Sequence, residues 1–102
     1  MSVIDEGLVE KFEKLLPALA RLGAVVRFDL GADGAPVLDA RGGKAILSEE
    51  GGDDADCTIK ITRDNLFRLI DGKLDPMLGY TLGKIRVAGS MGVAMKLIGA
   101  LG

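Results

Sequence analysis

The side chains able to do chemistry are few, and none stands beside a group that would activate it. Cys57 is the only thiol, and the 102-residue chain has no histidine to deprotonate it. A thiol without a base or a cationic neighbour stays protonated and inert near neutral pH. Its place in the alternating run Cys57, Ile59, Ile61, with Thr58 and Lys60 between, assigns it to the buried face of a strand. Ser90 has no accompanying base, so it reads as a helix cap before it reads as a nucleophile. Glu49, Glu50, Asp53, Asp54 and Asp56 crowd together, but the calcium-loop spacing with its central glycine and terminal glutamate is missing. That run is read as a solvated connecting loop. Met77, Met91 and Met95 remain: flexible, polarisable side chains suited either to a core or to a surface that fits several apolar shapes. Lys73, Lys84, Arg86 and Lys96 could attract an anionic headgroup or an acidic membrane, or be ordinary surface charge. Tyr80 could donate a hydrogen bond inside a pocket or pack with its hydroxyl wet. Such an inventory can bind an apolar molecule and has no means of making or breaking a covalent bond. A binding protein is expected, not an enzyme, with no catalytic set, no cofactor and no metal.

The elements that hold these residues follow from composition and periodicity. A chain of 102 residues, 48% hydrophobic and 4% aromatic, makes one domain, 1–102, whose core is built from Leu, Val, Ile, Ala and Met. A net charge of -2 with scattered Lys and Arg argues against nucleic acid as a partner. The lone cysteine, the start MSVIDEG and the end Gly-Ala-Leu-Gly carry no disulfide, leader or C-terminal address, so a cytoplasmic location is expected. No apolar run approaches the roughly 20 residues that span a bilayer.

Residues 3–22 read as a helix with the stripe Ile4, Leu8, Phe12, Leu15, Leu19, kinked or divided at Pro17. Residues 24–30 alternate as a strand with Ala24, Val26, Phe28 and Leu30 on one face. Residues 37–41 and 44–48 form the next strands, joined at Gly42-Gly43 as a two-residue hairpin, which completes an antiparallel meander. Residues 57–62 make the fourth strand, and Thr62 caps a helix carrying Leu66, Phe67, Leu69 and Ile70. Asp75-Pro76 starts a second helix with Met77, Leu78 and Leu82, closed at Gly83. Residues 84–88 are the last strand. Ser90 caps a final helix with Met91, Ala94, Met95, Ile98 and Leu101 on one face. The expected architecture is an α+β, or mixed α/β, domain: a five-stranded mixed sheet with one right-handed crossover between the fourth and fifth strands, which would then lie parallel as neighbours.

These marks, in this order, resemble the sterol carrier protein type 2 domain, also called the sterol-binding domain. They are Ala55-Asp56-Cys57-Thr58, Gly72-Lys73-Leu74-Asp75-Pro76, Gly83-Lys84-Ile85-Arg86-Val87, Gly89-Ser90-Met91 and Ala94-Met95-Lys96-Leu97. The resemblance spans nearly the whole chain. An acidic residue is common in the family where Ser90 stands. The resemblance implies a mixed five-stranded sheet with helices around an apolar tunnel, and non-catalytic binding and transfer of lipids: acyl chains, acyl-CoA, or sterol-like or isoprenoid molecules. On that basis Phe28, Leu66, Leu69, Ile70, Met77, Leu78, Leu82, Met91, Met95 and Ile98 are expected to bind the lipid.

An empty tunnel of roughly 300 Å³ would cost on the order of 7 kcal/mol, close to the whole stability of a small domain. The cavity is therefore expected to be filled by lipid or shrunken by repacking. Transient membrane contact and a monomer or homodimer fit this reading. The alternative is an accessory module that docks a partner's helix, or a second copy, in the same apolar groove.

Overall fold

A computed structural model describes residues 6–49, 51 and 54–101. Its elements run α1 (Glu6–Leu19), β1 (Val25–Asp29), a short 3-10 turn, β2 (Val37–Asp39), β3 (Ile46–Ser48), β4 (Cys57–Lys60), α2 (Arg63–Ile70), α3 (Pro76–Thr81), β5 (Arg86–Gly89) and α4 (Met91–Leu101). The strands form one five-stranded sheet in the order β3-β2-β1-β4-β5. This is the mixed sheet expected from the alternation in the sequence.

One pairing differs from expectation. β4 and β5 are neighbours but antiparallel, with Lys60 opposite Arg86 and Cys57 opposite Gly89. The parallel pair is β1 with β4, in register from Val26–Cys57 to Asp29–Lys60. The reason lies in what joins the strands. A single crossover helix carries the chain to the far end of the sheet. Here the segment between β4 and β5 holds two helices, α2 and α3, and returns to the end it left, as the Lys60–Arg86 register requires.

Local chemistry explains the element ends. Thr62 caps α2 by accepting a hydrogen bond from the Asn65 amide at 3.1 Å. Asp75 caps α3 through the Leu78 amide at 2.9 Å, with Pro76 at the first helical position. α1 runs through Pro17 as one helix, not divided there, and ends two residues later instead of continuing to Leu22. A proline in the last turn removes a single ladder hydrogen bond, so the helix includes it and stops shortly after. The connection between β2 and β3 spans residues 40–45 and is longer than a two-residue hairpin. Arg41 draws the chain out of the ladder: its backbone amide and guanidinium both bond Asp39, and the guanidinium also bonds Asp54. That arrangement lowers the pKa of the Asp39 carboxyl and raises that of Arg41.

The core lies between one sheet face and α1, α2 and α4. Phe12, Leu19, Val26, Phe28, Leu38, Leu66, Ala94 and Leu97 are fully buried within it. The Phe12 and Phe28 rings meet edge to face at 5.2 Å between centroids. Lys11 pairs with Asp71, which ties α1 to the end of α2 and lowers the Asp71 carboxyl pKa. Ile4 lies outside the described residues, as do the side chains of Leu8 and Leu101.

Candidate functional site

Two of the sequence marks, Ala55-Asp56-Cys57-Thr58 and Gly89-Ser90-Met91, converge on one structural joint. The Asp56 carboxylate accepts from the Val25 amide at 2.8 Å, and the Asp56 amide donates to the Val25 carbonyl at 2.8 Å. The Asp56 carbonyl accepts from the Ser90 amide, again at 2.8 Å. One residue thus joins the start of β1, the start of β4 and the entry to α4. Gly89 sits against it with φ +93°: a Cβ there would lie 2.6 Å from the Asp56 oxygen and 3.0 Å from the Cys57 Cα. Ser90 caps α4 through the Val93 amide at 3.2 Å, as expected. Asp56 is accordingly a structural acceptor. Among the described residues no group of three or more His, Cys, Asp or Glu could hold a metal ion; Glu50 and Asp53 of the acidic run lie outside those residues. Cys57 is buried, and burial raises its thiol pKa, so it is a protonated core group.

The ten side chains expected to bind lipid separate into two groups. Phe28, Leu66, Leu69 and Ile98 are buried in the core, and Ile70 packs partly buried against it. Met77, Leu78 and Leu82 at α3, with Met91 and Met95 on α4, are 44–58% exposed. None of the ten lines the surface clefts of about 270, 190 and 330 Å³. Tyr80 is also exposed, at 43%.

The rotation of α4 differs from the sequence reading. Its buried stripe is Ala94, Leu97 and Ile98, while Met91 and Met95 face outward. Apolar residues surround this helix almost completely, with Lys96 the one charged residue, so two stripes satisfy helical spacing.

Gly92 and Gly99 lie on the exposed side of α4. A Cβ at Gly92 meets only Ser90 Oγ, at 3.8 Å, and one at Gly99 meets nothing within 4 Å. Each glycine costs up to about 1 kcal/mol of helix propensity relative to alanine. The double variant G92A/G99A is therefore expected to gain about 1–2 kcal/mol in urea unfolding. Amide exchange along α4 should slow in parallel. A loss of stability would show that the glycines are needed for backbone packing and do not soften the helix.

The cleft of about 270 Å³ opens where β1 and β4 end and β5 begins, beside α2, and Asp29, Lys60, Asn65, Lys84 and Arg86 contribute to its lining. Of the cations flagged in the sequence, Lys84 and Arg86 meet here while Lys73 and Lys96 do not line the cleft; Asp29, Lys60 and Asn65 join them from two other strands and a helix. No helix among the described residues is long and apolar enough to cross a membrane.

A model described as the SCP-2 sterol transfer family matches residues 6–102. The rat protein named Sterol carrier protein 2 is 31% identical over 99 residues, covering 92% of this chain and 18% of its own length. The chain thus spans less than a fifth of that relative. Among solved structures, a sterol carrier protein 2 from Yarrowia lipolytica, in its apo form, superposes with TM-score 0.76 at 20% identity, covering 99% of this chain and 95% of that one. The sterol carrier protein domain 2 of Helicoverpa armigera gives TM-score 0.68 at 30% identity, covering 97% and 80%.

Proposed function

The chain belongs to the SCP-2 sterol transfer family, and from that premise we propose that it is a non-catalytic carrier that binds and transfers lipids: an acyl chain, an acyl-CoA, or a sterol-like or isoprenoid molecule. The observation that carries the reading is the exposed apolar set Met77, Leu78, Leu82, Met91 and Met95, held on the two helical segments that precede and follow β5. Each is about half exposed, so it forgoes about half of the roughly 1.5–3 kcal/mol that full burial of such a side chain gives. The core beneath is already filled by Phe, Leu, Ile and Val. These side chains are therefore not needed to complete the fold, and five of them on two segments flanking one strand offer apolar surface to another apolar body.

The mechanism is passive. An acyl chain gains about 0.8 kcal/mol per methylene removed from water, and the methionines adapt to its shape. Admission to the interior requires α3 or α4 to move, since Leu66, Leu97 and Ile85 leave no exposed surface worth the name beneath them. Release returns the chain to a membrane or an enzyme. Nothing in this cycle needs acid–base chemistry.

The test is titration of delipidated protein with a fluorescent fatty acid and a fluorescent sterol. Binding in the micromolar range or tighter is expected. Met77→Gln/Met95→Gln should weaken it at least fivefold while changing folding stability by no more than about 0.5 kcal/mol, because both sites are surface positions. A protein that binds neither probe contradicts the carrier reading. Binding left intact in the double variant moves the ligand surface away from α3 and α4.

A further inference from the structure

The cationic cleft beside α2 has a charge arrangement that the fold does not need. Lys60 and Arg86 are directly opposite in the antiparallel β4–β5 pair, and both are exposed. Like charges in that relation repel and weaken a sheet. Lys84 enters the same cleft two residues earlier in the chain. No ion pair or side-chain hydrogen bond ties Lys60, Lys84 or Arg86 to another described residue. The one carboxylate in the lining, Asp29, accepts the Gly31 amide at 3.0 Å. Three cations against one carboxylate leave an excess of two positive charges on a chain whose net charge is -2. Thr62 and Asn65, at the N-terminus of α2, complete the polar lining. Leu30 and Ile61 complete the lining with apolar surface.

We propose that this cleft binds the phosphate-monoester head of an amphiphile, with Arg86 gripping two phosphate oxygens and Lys60 and Lys84 neutralising the remaining charge. A phosphate monoester carries roughly -1.5 to -2 charge near neutral pH, which matches the excess. A planar guanidinium suits paired oxygens, and the two ammonium groups act as point charges. The cleft, at about 270 Å³, holds a head and the start of a tail, so the remaining hydrocarbon lies outside it. The inference rests on the carrier reading only in giving the phosphate a hydrocarbon tail.

The experiment is a two-dimensional amide NMR titration with three probes: dodecyl phosphate, dodecanol and inorganic phosphate. Dodecyl phosphate is expected to shift the amides of Gly31, Asn65 and Lys84 and to bind at least tenfold more tightly than dodecanol. Lys84→Gln/Arg86→Gln should remove that difference and leave dodecanol binding as it was. Raising the salt concentration should weaken dodecyl phosphate alone. Inorganic phosphate moving the same amides, with no gain from the dodecyl tail, also supports an anion site and assigns it to free phosphate. Equal binding of dodecyl phosphate and dodecanol, with those amides unmoved, overturns the proposal and leaves the carrier reading standing. Absence of binding by dodecyl phosphate and inorganic phosphate alike overturns it as well.

Discussion

Replacing Phe28 by alanine is expected to cost about 3–5 kcal/mol of folding stability, measured as a lowered urea midpoint at unchanged slope. The ring has no exposed surface and stacks edge to face on Phe12. Its backbone lies in register with Ile59 at the parallel β1–β4 seam, the centre of the sheet. Truncation therefore removes burial, opens a cavity between the sheet and α1, and strips Phe12 of its aromatic neighbour. The measurement also bears on the ligand. A phenylalanine on the wall of an open tunnel has already forfeited contacts on one side, and its removal costs less. A value below about 1.5 kcal/mol would place Phe28 at such a wall; the full 3–5 kcal/mol would make it a core residue first.

Gly89→Ala is the second large effect, about 2–5 kcal/mol, from two sources that add. A φ of +93° costs an alanine roughly 1–2 kcal/mol. The Cβ also meets backbone atoms, the Asp56 carbonyl oxygen at 2.6 Å and the Cys57 Cα at 3.0 Å, which cannot rotate aside. Overpacking of this kind costs about 1–3 kcal/mol. Relief requires β5 to move off β4, so the Cys57–Gly89 end of the ladder should open and the Ser90 amide should lose its bond to Asp56. Thermal unfolding combined with amide exchange at Ser90 and Cys57 reads both parts. Gly83→Ala is the control: φ is +77° there, but nothing lies within 4 Å of the added methyl. If both variants lose the same stability, the contact with Asp56 carries no energy and the joint is not a joint.

That joint shows why some of the chain was readable. Ala-Asp-x-Thr and Gly-Ser-Met are separated in sequence by more than thirty residues, yet each answers a local demand. The glycine permits positive φ and close approach, the aspartate supplies an acceptor, and the serine caps a helix. Demands of that kind leave a fingerprint in residue type. The same holds for the Thr62 and Asp75 caps, both present as expected.

Other features left no such trace. The direction of β5 depends on how many times the chain crosses the sheet between β4 and β5, a global count that alternation within a strand does not encode. The outward turn of Met91 and Met95 depends on which of two apolar stripes α4 lays on the sheet. The cationic cleft adds Lys60 to Lys84 and Arg86 across the β4–β5 pair, a meeting that strand direction alone produces.

What the amino-acid order determined by itself was the set of strands and helices, with their caps and glycine-bounded ends, because those properties act over a few residues. What the tertiary structure decided was strand direction, the face each helix buries, and which charges share a cleft. Those follow from long-range packing, where many apolar residues are interchangeable and only the assembled core selects one arrangement.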